Sequence, residues 1–238
     1  MIVLSVDPGV VNIGVCVMDT DARRVLYADR LCFAKRMRDV PEGKMVERIE
    51  ELFFHPSSRA PGLGKHLPRV QVVLIEQQMK RRFLIFQHAL AAFARAKGLK
   101  YQFVSPTSVK RHFKIAHHAS PAKKGKTRKV VTAEQKLLNY EANKRGAVEV
   151  LRAQFPEAVE RARMAMGSAR VKVDDLADAV LMAAWFADKE RAAAEAAARK
   201  TKLNAEKARK RAAREAKAAR AAEALRLKGA AAALRALK

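Results

Sequence analysis

Two acidic residues end apolar runs that have the character of buried strands. Asp7 follows the run Ile2 to Val6 and precedes a Pro-Gly turn, and Glu76 ends the run VVLIE. Carboxylates rarely occupy such positions without a partner, and ligands of open α/β sheets bind beyond the carboxyl ends of strands. Each acid alone is equally explained as a turn cap or as the partner of a lysine or arginine. Together they favour a cation site, because two neighbouring carboxylates repel each other.

A second acidic segment, VDDLADA, supplies further oxygen ligands. Asp175 and Asp178 are three residues apart and therefore share one helical face, whereas Asp174 suits the N-cap of the same helix. Acids at a helix N-terminus are also explained by the helix dipole. With Asp7 and Glu76 they make an oxygen-only donor set without a His or Cys cluster. Such a set favours Mg²⁺ or Mn²⁺ over zinc.

The elements that must position these acids follow from the hydrophobic pattern. Three β-rich runs separated by tight turns predict an antiparallel meander, and the later strand–helix–strand pattern predicts two more strands, so the fold class is α/β. We expect a mixed five-stranded sheet flanked by helices. The predicted strands are 2–6, 12–18, 24–33, 71–75 and 101–104, and the predicted helices are 44–54, 83–97, 135–155 and 175–187.

The chain divides by composition into residues 1–187 and a tail, residues 188–238. The tail holds 21 Ala, 16 Lys and Arg and 6 Asp and Glu, with no proline or aromatic residue. Alanine and long charged residues favour helix, but few large apolar side chains are present to pack. We expect a basic, helical and exposed extension, or one that is disordered, appended to a single catalytic domain.

The overall charge indicates the class of partner. The 238 residues carry a formal net charge of +25, and a polyanion is the usual partner of such an excess. Charge alone is equally consistent with a ribosomal or chromatin-like binding protein. Cys16 and Cys32 lie in apolar runs, which is typical of buried thiols in a reducing compartment. Because no signal peptide or membrane span is predicted, we expect an intracellular protein of the cytoplasm, the nucleus or a viral replication site.

Four motifs in order resemble those of the RuvC-type Holliday junction resolvases. They are IVLSVDPGVVNIGVCVMD, VVLIEQQ, SPTSVKRHF and VDDLADAVLMA. The poxvirus and large-DNA-virus branch and the mitochondrial resolvases are the most similar. The resemblance covers roughly residues 1–186. It implies an RNase H-like fold and a homodimer that acts on branched DNA with two Mg²⁺ ions per site, for which Mn²⁺ can substitute.

The resemblance also implies roles for individual residues. Asp7, Glu76, Asp175 and Asp178 would be the metal ligands, with Asp174 as the alternative to Asp175. Lys110 and Lys144 match lysines that the bacterial enzymes carry near the scissile phosphate, although both are equally explained as ordinary basic residues. Where bacterial members place a wedge-like phenylalanine, this chain has Met79, and Phe83 lies one turn further on.

Basic side chains near Glu76 and in the segment KKGKTRK are candidate phosphate contacts, which would be independent of base sequence. These residues are Lys80, Arg81, Arg82, Lys123, Lys124, Lys126, Arg128 and Lys129. The KKGKTRK segment is equally explained as a solvated loop or a nuclear-import signal.

These observations predict a structure-selective endodeoxyribonuclease that resolves four-way junctions by metal-dependent paired nicking. A ribonuclease H or a transposon-type nuclease would share every carboxylate. A non-catalytic nucleic-acid-binding protein would explain the charge but not the ordered acids. An actin-like or sugar-kinase-like ATPase is disfavoured because it needs a Gly-Gly adenosine loop, and the chain contains no Gly-Gly pair.

Overall fold

The structure, a computed structural model, describes residues 1–9, 11–32, 44–54, 61–115, 132–166 and 173–236. Its strands are β1 (Ile2–Asp7), β2 (Asn12–Asp19), β3 (Arg24–Cys32), β4 (Val72–Glu76) and β5 (Lys100–Val104). Its helices are α1 (Met45–Phe54), α2 (Pro61–Gly64), a short 3₁₀ helix (Leu67–Arg69), α3 (Arg81–Ala96), α4 (Pro106–His112), α5 (Ala133–Gln154), α6 (Pro156–Met166) and α7 (Val173–Ala236).

The five strands form one mixed sheet in the order β3-β2-β1-β4-β5. β1 pairs antiparallel with β2, and β2 with β3, whereas β4 runs parallel to both β1 and β5. The predicted meander followed by two parallel strands is therefore confirmed. Since β1 and β4 are parallel neighbours, their carboxyl ends, which carry Asp7 and Glu76, lie at the same edge of the sheet.

Strand alternation divides the core into two layers, one on each face of the sheet. The α7-side core contains Val3 of β1, Cys16 of β2 and Leu74 of β4, packed against α5, α6 and the first turns of α7. The α3-side core contains the alternate residues, such as Leu4 and Ile75, packed against α1 and α3. Asp7 and Glu76 continue the α7-side series, so their side chains belong to the face that α7 covers.

Several helices depart from the sequence-based expectation. α4 and α6 were not predicted, because each is short and begins at a proline that follows a strand or another helix. α7 starts at Val173 and continues to Ala236 as one helix, whereas the predicted helix spanned 175–187 and the tail was expected to be helical or disordered. Asp174 therefore lies in the first helical turn and not at the N-cap.

The chain separates into two compact units, Met1–Lys189 and Glu190–Lys238. The first contains the sheet and both cores. The second is the remainder of α7, whose described side chains are exposed. No helix within the described residues is both long and apolar enough to cross a membrane.

Candidate metal and phosphodiester site

Asp7 lies at the end of the central strand, β1, and the other three acids all raise its pKa. The residue as a whole is half-buried. Desolvation by the surrounding protein nevertheless raises its pKa well above the ordinary value, and the neighbouring carboxyls of Glu76, Asp178 and Asp175 raise it further. The structure thus brings together all four acids that the sequence motifs single out.

Glu76 occupies the equivalent place on the adjacent strand. The register of β1 and β4 pairs Val6 with Ile75, so Asp7 and Glu76 follow directly on neighbouring strands. After burial, the charge of the Glu76 carboxyl is the largest contribution to the raised pKa of Asp7.

The first turns of α7 pack closely on the strand ends and deliver the other two acids. Gly14 of β2, the register partner of Asp7, leaves no room for a Cβ atom because the main-chain oxygen of Asp175 lies against it. One helical turn further on, the Ser5 hydroxyl donates a hydrogen bond of 2.6 Å to the main-chain oxygen of Ala179. A glycine and a buried serine therefore fix the approach of α7 to the sheet.

The pKa of Asp178 is shifted by the same group of acids. Burial and the charge of Glu76 raise its pKa to about 7, Lys110 and Lys144 act in the opposite direction, and Asp175 adds to the increase. Near neutral pH the group is therefore divided between its protonated and ionised forms. Carboxyl groups whose mutual repulsion is only partly offset by lysines have the electrostatic character of a cation site.

Asp174 is oriented differently from the other acids of α7. It accepts a short hydrogen bond from the Lys144 ammonium group, which also lies 4.9 Å from the centre of the Tyr140 ring. Burial lowers the pKa of Lys144, but the hydrogen bonds to Asp174 and Tyr140 outweigh it and leave the pKa above its ordinary value. Asp175 acts on the pKa of Asp7 and Asp178, whereas Asp174 pairs with this lysine.

Lys110 approaches the acids from α4. It lines a small pocket together with Glu76, Asp178 and the apolar side chains of Val109 and Ile115. The two lysines identified in the sequence thus lie close enough to influence Asp178. They provide positive charge beside the carboxyl cluster.

The donor set fits a hard divalent cation by its chemistry. It contains only carboxyl oxygens, and the elevated pKa values of Asp7 and Asp178 show that additional positive charge would be favourable. Among the described residues, no three Asp, Glu, His or Cys side chains already converge on one ion position.

The surface next to Glu76 carries the other candidates. Met79 is 87% exposed, whereas Phe83 is partly buried and packs on the α3-side core. Lys80 and Arg81 are exposed at the start of α3. The side chain of Arg82 and the candidate phosphate contacts in segment 123–129 lie outside the described residues.

Comparison with known proteins identifies the fold. No family model matches the sequence, and no curated protein matches it. RuvC from Thermus thermophilus aligns over 81% of this chain and 97% of its own, with a TM-score of 0.50 and 18% identity. This chain has the RuvC fold.

Two further solved structures match with lower scores. The first is T. thermophilus RuvC in complex with a Holliday junction substrate, with a TM-score of 0.47 and 18% identity over 80% of this chain and 95% of that chain. The second is the yeast mitochondrial Holliday junction resolvase Ydc2, with a TM-score of 0.46 and 17% identity over 78% of this chain and 78% of that chain. At this level of identity, the similarity to RuvC establishes the arrangement of sheet and helices, and function must be argued from the site.

Four residues with positioning roles were missed from the sequence. Ser5 and Gly14 place α7, Gln78 donates a hydrogen bond of 2.8 Å to Glu76, and Gln87 accepts one of 2.7 Å from the main-chain N–H of Gln78. A polar residue inside a strand and a glutamine on the apolar face of α3 are recognisable signals. Their partners, however, become apparent only in the folded chain.

Proposed function

We propose that this chain is a structure-selective endodeoxyribonuclease that resolves four-way DNA junctions by metal-dependent paired nicking. The single observation that carries the proposal is geometric: Asp7 and Glu76 end neighbouring parallel strands, and the main chain of Asp175 on α7 lies against Gly14, the register partner of Asp7. Four acids held this close, on a chain with a net charge of +25, favour a divalent cation and a polyanionic substrate.

In this proposal the ions are held by Asp7, Glu76, Asp175 and Asp178. When bound, two Mg²⁺ ions lower the pKa of the attacking water and stabilise the leaving 3′ oxygen. Asp174 is assigned to Lys144, because the two side chains are hydrogen-bonded. Lys110 and Lys144 hold the negatively charged phosphate beside the acids, and the products carry 5′-phosphate and 3′-hydroxyl ends.

The choice of a four-way junction rests on the resemblance of the four motifs to the RuvC-type resolvases, together with the RuvC fold. A homodimer presents two sites, one for each of two opposed strands. We assign the opening of the junction centre to Met79, because its side chain is exposed, whereas Phe83 contributes to the core. Lys80 and Arg81 flank Met79 and contact backbone phosphates.

The test is cleavage of a labelled synthetic four-way junction with Mg²⁺, beside linear duplex, splayed-arm DNA and an RNA–DNA hybrid. We expect paired symmetrical nicks in the junction that disappear in Asp7→Asn. Asp19→Asn is the matched control, since Asp19 pairs with Ile2 at the opposite end of the same sheet, and we expect this variant to cleave like the wild type. Equal or faster cutting of the hybrid would reassign the chain to the ribonucleases H, and junction binding without cutting would leave a binding protein.

Glu76→Gln separates catalysis from folding and binding. The substitution preserves shape and hydrogen-bonding capacity but removes a charged ligand, so we expect cleavage to be lost and junction binding, measured by gel shift in Ca²⁺, to remain. Loss of junction binding would mean that Glu76 has a structural role, which contradicts the proposal.

A further inference from the structure

The segment that joins β4 to α3 is held by an unusual set of polar contacts. The main-chain N–H of Gln77 donates to the main-chain oxygen of Val104 at 2.8 Å and so extends the ladder between β4 and β5. The next main-chain N–H, that of Gln78, donates at 2.7 Å to the side-chain oxygen of Gln87. The main-chain N–H groups of both residues that follow Glu76 are therefore hydrogen-bonded, one to β5 and the other to α3.

The Gln78 side chain acts directly on Glu76. Its amide nitrogen lies 2.8 Å from Oε2 of Glu76, and because a carboxylate only accepts, the amide must present its NH₂ group. The terminal torsion of a glutamate is broad and weakly preferred, so a carboxylate at a strand end needs such a bond to hold one orientation.

The choice of an amide as the donor is informative. A lysine or arginine at this position would neutralise Glu76 and weaken its attraction for a cation. A neutral amide orients the carboxylate and leaves its charge unchanged. Donors of this kind, behind the residues that bind a metal, set ligand orientation and contribute to metal affinity.

Gln87 extends the arrangement into the core. It is 4% exposed and one of only a few buried polar side chains among the described residues. It lies between Phe83 and Leu90 along the apolar face of α3, where an apolar residue would pack at least as well. Its oxygen has a defined use in holding the main chain of Gln78.

We infer that Gln78 and Gln87 are positioning residues that orient Glu76 for a divalent cation, Gln78 through its side-chain amide and Gln87 by fixing the main chain of Gln78. The inference rests on the proposed metal-dependent function. It assigns a task to two residues that act through Glu76, and it makes the β4–α3 connection part of the site.

The experiment is calorimetric titration of the full-length protein with Mn²⁺ in the absence of DNA. We expect Gln78→Ala to weaken Mn²⁺ binding by about 10- to 100-fold, with a thermal midpoint close to that of the wild type. The matched control is Gln77→Ala, since the Gln77 side chain is exposed and its main-chain bond survives substitution. It should bind Mn²⁺ within about twofold of wild type, well below the loss expected for an orienting residue.

A second variant makes the test independent of Gln78 itself. Gln87→Met is the variant to compare with Gln78→Ala, because it removes the acceptor at similar volume and should weaken Mn²⁺ binding, and unchanged Mn²⁺ binding by Gln87→Met would contradict the role given to Gln87. Cleavage by Gln78→Ala should approach the wild-type rate at saturating Mn²⁺, because every ligand is still present.

The outcomes distinguish this inference from the proposed function. If the wild type binds Mn²⁺ and cleaves, but Gln78→Ala binds as tightly as Gln77→Ala, then Gln78 does not orient Glu76 and the inference fails alone. If the wild-type protein binds no Mn²⁺ at millimolar concentration, the metal-dependent function is overturned and the inference with it.

Discussion

Replacing Asp178 by asparagine is expected to stabilise the metal-free protein. The carboxyl group has a pKa of about 7 in the folded state against an ordinary value of 3.8, because of burial and the nearby charge of Glu76. At pH 8 the folded protein must therefore ionise a group that favours its neutral form. Asparagine occupies nearly the same volume and carries no charge, so this cost disappears.

The magnitude follows from the linkage between pKa and stability. A pKa difference of this size corresponds to about 4 kcal/mol at full ionisation. This is an upper limit, because water reaches the partly exposed group and screens it. We expect a gain of about 1–3 kcal/mol, and for a domain of this size each kcal/mol raises the thermal midpoint by about 2–4 °C.

The sign of the effect changes with pH in a defined way. Below about pH 4 the carboxyl is protonated in both the folded and the unfolded wild type, so asparagine confers no advantage. As the pH rises from about 4 to 7, the carboxyl ionises in the unfolded chain but stays largely protonated in the folded one, so the wild type loses stability relative to Asp178→Asn, and the loss levels off above pH 7. The difference between the two proteins should therefore be near zero at pH 4 and largest at pH 8.

The assay is urea unfolding in EDTA, followed by the fluorescence of Trp185, the single tryptophan, which packs against the α7-side core. Asp174→Asn is the matched control on the same helix. Because Asp174 pairs with Lys144, its neutralisation should cost about 1–3 kcal/mol. If Asp178→Asn were less stable than the wild type at pH 8, the reasoning about the acidic cluster would be refuted.

Three further predictions concern the elements around the site. Gly14→Ala would place a methyl group against the main-chain oxygen of Asp175, so we expect it to lower the free energy of unfolding by about 1–3 kcal/mol and to abolish junction cleavage. The control Gly98→Ala, at φ +69° with open space around it, should lower the free energy of unfolding by about 1–2 kcal/mol and leave cleavage intact. Equal cleavage by both variants would mean that the contact does not position α7. Lys110→Met should reduce single-turnover cleavage about 100-fold with unchanged Mn²⁺ binding, and weakened Mn²⁺ binding would instead place Lys110 among the groups that organise the ligands. A chain that ends at Lys189 should still cleave in low salt, but its junction binding should depend less steeply on salt. The reason is that each lost phosphate contact reduces the slope of log K against log salt concentration by about 0.9. An unchanged slope would exclude the tail from the interface.

The sheet was predictable because strand signals are local. The runs that end at Asp7 and Glu76 are apolar and bounded by breakers, and the turn at Pro8-Gly9 leaves little alternative to a hairpin. The mixed sheet, an antiparallel meander followed by two parallel strands, followed from the general rules of connection, whereas the order of the strands became apparent only in the structure. The RuvC fold expected from four short motifs is confirmed.

The details of the site required the folded chain. The spacing to Asp178 favoured Asp175 over Asp174, but the pairing of Asp174 with Lys144, thirty residues earlier in sequence, became apparent only in the folded chain. The roles of Gly14 and Gln87 likewise depend on contacts distant in sequence. Long-range packing of this kind leaves no periodic pattern in the sequence.

The central claim, that four acids bind divalent cations, is tested most directly by the anomalous diffraction of crystals grown with Mn²⁺. We predict two peaks about 4 Å apart beside β1 and β4, within bonding distance of Asp7, Glu76, Asp175 and Asp178, with Asp174 still on Lys144. Absence of any peak there at saturating Mn²⁺, or a metal bound elsewhere on the chain, would contradict the account.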